Sequence, residues 1–113
     1  MNSSKSKAAL VIHGTFLIHP DDSSAFAEIV RSHVLASQSQ PGCLYYSFAV
    51  DVNDANLFHI FEGWSDSAAL DQHNKGGDMQ KTQARIKALV RVEERDATVY
   101  TVAEQAPMPS PQD

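Results

Sequence analysis

The chain has 113 residues, 14 acidic against 9 basic side chains for a formal net charge of −5, and a single cysteine. That length fits one domain with a modest core and not two. The acidic balance, with no basic run to reverse it, argues against a nucleic-acid-binding surface, and lone Cys43 can form neither an internal disulfide nor a cysteine-based metal site.

The ends differ from the middle. The opening MNSSKSK lacks the apolar core of a signal peptide, and no apolar run approaches membrane-spanning length, so a cytoplasmic protein with no membrane partner is expected. Residues 1–8 and 105–113 are polar or proline-rich and are expected to be flexible, leaving residues 9–104 as the folded domain.

Along the chain, ALVIHGTFLIH (9–19) alternates as a strand, with Leu10, Ile12, Phe16 and Ile18 on one parity. Pro20-Asp21-Asp22-Ser23 then offers helix caps. From Ser24 to Gln38, Phe26, Ile29, Val30, His33 and Val34 recur at helical spacing, and Ser39-Gln40-Pro41-Gly42 stops the helix. CLYYSFAV (43–50) is a second strand, with Leu44, Tyr46, Phe48 and Val50 on one face and Cys43, Tyr45, Ser47 and Ala49 on the other. DVNDAN (51–56) suits a hairpin looser than the two-residue kind. LFHIFEGW (57–64) follows, with Phe58, Ile60, Glu62 and Trp64 on one parity and Leu57, His59 and Phe61 on the other.

A second helical region begins near Asp66 and carries Ala68, Ala69, Leu70 and His73. Gly76-Gly77 interrupts it before Met79 to Leu89, where Met79, Ala84, Ile86 and Leu89 are the expected inward positions. A last strand covers about Arg91 to Val102. The order βαββαβ predicts an α+β, ferredoxin-like domain: a four-stranded antiparallel sheet with its helices on one face. The other face, apolar on both strand parities, predicts a homodimer of the dimeric α/β-barrel type.

No HExxH, glycine-rich phosphate loop or GxSxG elbow is present, and the five histidines are scattered, so no metal or other cofactor is expected. Three residues frame the open questions. Trp64 is either a core plug or a pocket wall. Glu62, set in an apolar strand, must reach a cation, backbone donors or solvent, or take a raised pKa; the following turn and a partner subunit are the candidate neighbours. His73 either faces water or serves as a base.

Gly42 with Tyr45-Tyr46, then Phe58, Glu62-x-Trp64 and Ala69-Leu70-x-x-His73, taken in order, resemble the antibiotic biosynthesis monooxygenase domain family over about residues 9–102. The resemblance implies a dimeric ferredoxin-like fold with a pocket between sheet and helices. It covers cofactor-independent monooxygenases of quinols or polycyclic phenols, haem-degrading relatives and an isomerase, so fold membership does not settle the reaction. At the positions where the haem-degrading branch carries Asn, Trp and His, this chain has Gly14, His73 and Gln83-Ala84, which points away from haem and toward the quinol-oxidising branch.

The resemblance thus implies His73, Trp64 and Glu62 as catalytic residues, and Phe58, Tyr46, Phe48 and Phe16 as the wall around a small aromatic substrate that meets dioxygen. His73 would take the phenol proton, with a rate that rises through the histidine range, and Glu62 would orient the site or brace the dimer. An isomerase of a small metabolite, or a non-catalytic ligand-binding dimer, is the alternative.

Overall fold

The computed structural model describes residues 7–111. Residues 1–6 and 112–113, which belong to the segments expected to be flexible, lie outside the described residues. The β-branched run at the start forms β1 (Leu10–Ile18), followed by a short 3₁₀ turn over Pro20–Asp22 and by α1 (Ser23–Gln38). Then come β2 (Cys43–Asp51), β3 (Asp54–Trp64), α2 (Ser67–Lys75), α3 (Gly77–Leu89) and β4 (Val92–Thr101). The sheet is antiparallel in the order β2-β3-β1-β4, the ferredoxin-like arrangement expected from the element order.

Register explains where the core sits. Three rows of side chains cross the inner, helix-covered face: Tyr46–Glu62–Ile12–Val99, then Phe48–Ile60–Gly14–Ala97, then Val50–Phe58–Phe16–Arg95. Ile18, Phe26, Ile29, Val30, Phe58 and Val90 form one buried cluster under α1, and Ile12, Tyr46, Ile60 and Trp64 form another. Burial of these side chains, each stabilising by about 1.5–3 kcal/mol, holds the helices on this face.

Several local expectations change. Cys43 pairs with Trp64 and Tyr45 with Gly63, so Leu44 is an extra residue and the strand bulges there. The bulge turns Cys43 onto the inner face, against the Ile12–Trp64 cluster, instead of beside Tyr45. The hairpin is of the tight two-residue kind after all, Val52–Asn53, with Asp51 opposite Asp54. Carboxylates of Asp51 and Asp54 accept from the backbone N–H groups of Asn53 and Asn56, both at 2.9 Å, which fixes the turn without glycine. In α3, Met79 and Ile86 are half-buried as expected and Thr82 is buried, while Ala84 and Leu89 face out. The interruption at Gly76 makes α2 and α3 two separate helices, and Asp66 caps α2 by accepting from Ala69 N–H at 2.8 Å.

Gly42, at φ 82°, turns the chain from α1 into β2; a side chain there would strike Ala69 and Ser65. Gly63 has a different purpose. The Tyr45 ring lies across it, in the space a Cβ would fill.

The outer face of the sheet carries no helix. Tyr45, Phe61 and Tyr100 are each about half exposed on it. Its polar centre is a chain of three groups: His59 Nε2–H donates to Asp51 at 2.8 Å, and His13 Nε2 meets His59 Nδ1 at 3.1 Å. The two rings are nearly coplanar, 11° apart, so this is an end-on hydrogen bond.

Candidate functional site

Between the inner sheet face and the helices lies a cavity of about 670 Å³. Its walls are mostly apolar, with Phe16, Phe26 and Phe48 the aromatic part. Three buried polar groups converge on it, His33, Tyr46 and Glu62, and the exposed Asn74, Gln83, Lys87 and Arg95 complete the polar lining. That volume and lining suit a small organic ligand.

The α1 stripe delivers His33 into the interior, where 3% of its surface remains exposed. A buried imidazole needs partners for both ring nitrogens. Asp78, in the first turn of α3, supplies one: its carboxylate lies 2.6 Å from Nδ1 and can only accept, so Nδ1 carries the hydrogen. Thr82 Oγ1 sits 3.3 Å from the same nitrogen. Nε2 is therefore the acceptor, and the Tyr46 hydroxyl donates to it at 2.8 Å.

Burial, then the nearby Glu62 charge, pushes the Tyr46 phenol far above its ordinary range. Tyr46 accordingly stays protonated, with its hydrogen toward His33 and its oxygen an acceptor beside the Ser37 hydroxyl. The Asp78–His33–Tyr46 series can take a proton at the Tyr46 oxygen while passing Tyr46's own proton to His33.

Each residue expected at the site can now be placed. Glu62 lines the cavity, is 8% exposed, and accepts from Trp64 Nε1–H at 2.9 Å. Its neighbour is thus the indole two residues on, not the following turn. Burial raises its pKa, partly offset by the indole hydrogen bond. Trp64 is fully buried and plugs the end of the core, outside the cavity lining.

His73 does not face water. It is buried, donates from Nδ1 to Gln40 Oε1 at 2.7 Å, and packs on the rings of Trp64, Tyr46 and His33 at 4.8, 5.2 and 5.3 Å. Its Nε2 has no partner among the described residues. Burial, then the neighbouring His33, lowers its pKa to about 4. It is not among the lining residues, so it touches the site through Tyr46 and His33. Tyr46, Phe48 and Phe16 line the cavity as expected, whereas Phe58 packs edge-on against Phe26 at 4.8 Å in the core beneath α1.

The sequence reading missed the pairing of His33 with Asp78. One signal was visible: a histidine on the apolar stripe of α1 has to find polar partners once that stripe is buried. Nothing in the spacing singled out Asp78, 45 residues away. Among the described residues, no group of three or more His, Cys, Asp or Glu side chains could hold a metal ion.

A profile of the antibiotic biosynthesis monooxygenase family matches residues 9–85. The chain belongs to this family. The uncharacterized protein sll1783 of Synechocystis sp. is 38% identical over 64 residues, 57% of this chain and 44% of that one, so the chain spans less than half of that relative. YcnE of Bacillus subtilis is 27% identical over 81 residues, covering 72% and 85%. Among solved structures, PA3566 from Pseudomonas aeruginosa superposes with a TM-score of 0.76 at 25% identity, over 88% of this chain and 98% of that one. A Deinococcus radiodurans structure shares the fold with a TM-score of 0.82 at 21% identity, over 89% and 99%. The helix-covered sheet and its cavity are thus an antibiotic biosynthesis monooxygenase domain, and no described helix is long and apolar enough to cross a membrane.

Proposed function

We propose that this family member is a cofactor-independent monooxygenase that oxidises a small quinol or polycyclic phenol with dioxygen, working as a cytoplasmic homodimer. The observation that carries the reading is the Asp78–His33–Tyr46 series ending in an aromatic-walled cavity.

The substrate hydroxyl donates to the Tyr46 oxygen, and its proton moves there as Tyr46's proton moves to His33 Nε2. The resulting imidazolium is held by Asp78. The phenolate gives one electron to dioxygen. The phenoxyl radical and superoxide join, forming a C–O bond at an open ring carbon. That peroxide takes back, through Tyr46, the proton held at His33. The same ring carbon then loses its C–H proton, and the freed electron pair forms the quinone carbonyl as the O–O bond breaks. The departing hydroxide joins that proton, so that a phenol and dioxygen give a quinone and water. The protein supplies orientation, a dry cavity and a place for the proton. In this reading His33 is the base, His73 is a positioning residue behind Tyr46, and Glu62 and Trp64 hold the inner wall.

The homodimer is supported by the aromatic outer face, where Tyr45, Phe61 and Tyr100 lie uncovered. The test is oxygen uptake with a quinol and naphthol panel, corrected for autoxidation and compared with His33→Gln. Uptake well above background that the variant loses supports the reading. Without uptake, substrate C–H exchange with deuterated water would favour an isomerase, because the same proton-transfer series serves enolisation without dioxygen.

A further inference from the structure

We infer that the substrate carries a carboxylate on the ring system, remote from the reacting hydroxyl, and that Arg95 of β4 recognises it. This rests on the cavity being the substrate site as proposed above.

Two polar groups of the cavity stand on its opposite sides. Tyr46, on edge strand β2, marks one; Arg95, on the opposite edge strand β4 and two rows further along, marks the other. Their backbones are three strand spacings apart, about 14 Å across the sheet. The row between them is apolar, Phe48–Ile60–Gly14–Ala97, and lacks a side chain at Gly14. A planar frame of two or three rings fits such a span better than a single ring.

Arg95 is held but not neutralised. Its guanidinium carbon sits 5.1 Å from the centre of the Phe16 ring, a cation–π contact that fixes the fork over the cavity. Glu94 and Asp96 are its chain neighbours, yet strand alternation sends them to the other face. Among the described residues no carboxylate lies within the 4.0 Å ion-pair distance of Arg95 or of Lys87, which lines the same cavity from α3. Most described basic side chains make no ion pair, so what singles out these two is their place on one apolar cavity, together with the stacking of Arg95 on Phe16. A free lysine alone is ordinary surface. The stacked arginine gives the direction, since its planar fork matches a carboxylate in two parallel hydrogen bonds.

Fluorescence titration with 6-hydroxy-2-naphthoate and its methyl ester, which match in shape and differ in charge, tests this. Wild type is expected to bind the acid roughly tenfold tighter than the ester. Arg95→Gln should remove that preference while leaving the ester's Kd within about twofold, and Arg95→Lys should keep part of it. Equal affinity for acid and ester in wild type overturns the proposal, as does a preference that survives Arg95→Gln or failure of both compounds to bind. The outcomes separate from those of the reaction. A charge preference without oxygen uptake keeps the carboxylate site and sinks the monooxygenase reading. Uptake with neutral quinols and no preference does the reverse.

Discussion

The Tyr46 hydroxyl and Nε2 of His33 stand 2.8 Å apart, which makes a phenol on β2 and an imidazole on α1 one proton-handling unit. Tyr46→Phe removes the atom that meets the substrate and leaves His33 Nε2 buried without a donor. Turnover is expected to fall roughly a hundredfold or more, and stability by about 1–3 kcal/mol. Asp78→Asn is subtler. An amide donating to Nδ1 would move the ring hydrogen to Nε2, so His33 would donate to Tyr46 and no longer accept. A kcat drop with little change in KM, and a near-wild-type melting curve, is the expected result from steady-state assays and calorimetry.

His73 makes stability depend on pH. Its folded pKa of about 4 lies below the ordinary histidine value of 6.5, so between these values the unfolded chain binds more protons than the folded one. Stability from this residue is complete above pH 6.5 and is lost as pH falls toward 4, by up to about 3 kcal/mol. Urea midpoints measured across that range should slope downward with acid, and His73→Gln should flatten the slope. His73, already neutral at pH 6.5, should add no rate rise of its own through the histidine range, so His73→Gln should leave the shape of the pH–rate profile unchanged.

Glu62 behaves in the opposite sense. Burial raises its folded pKa above the unfolded value, so its contribution is present at low pH and lost as pH rises through the folded pKa. Glu62→Gln keeps an oxygen to accept from the Trp64 indole and removes the buried charge. The melting temperature at pH 7 should hold steady or rise. A loss of turnover in that same intact protein would show that the charge acts on the bound ring, and unchanged turnover would make the carboxylate structural.

The proposed dimer has its own check. Light scattering at micromolar concentration should give twice the monomer mass. Tyr100→Asp, which would set a charge on the aromatic part of the outer face, should weaken association roughly a hundredfold or more. A wild-type monomer would end the face-to-face assembly outright.

The topology was readable because each strand alternates and each helix stripes on its own, so Ile12, Phe48 or Ile60 declares its face from local pattern alone. The bulge at Leu44 was not readable, since one extra residue reverses parity without changing composition. At the site, part of the aromatic wall was legible from β1 and β2, in Phe16, Tyr46 and Phe48. The acid–base groups were not: His33 and Asp78 meet across two helices, and such a contact is set by helix packing and not by spacing. His73 attracted attention for a sound reason, its nearness to Trp64, but it lies behind the residues that line the cavity.

The ring of Tyr45 occupies the room that any side chain at position 63 would need. The two positions therefore cannot vary independently. A descendant of this chain that gains a methyl group at 63 must first give up the ring at 45, or endure a clash until it does. Either order passes through a weaker protein, with a bare glycine uncovered on the outer face or an overfilled one. The inheritance of this patch should be conservative, and where it does change, volume should leave one strand as it enters the next.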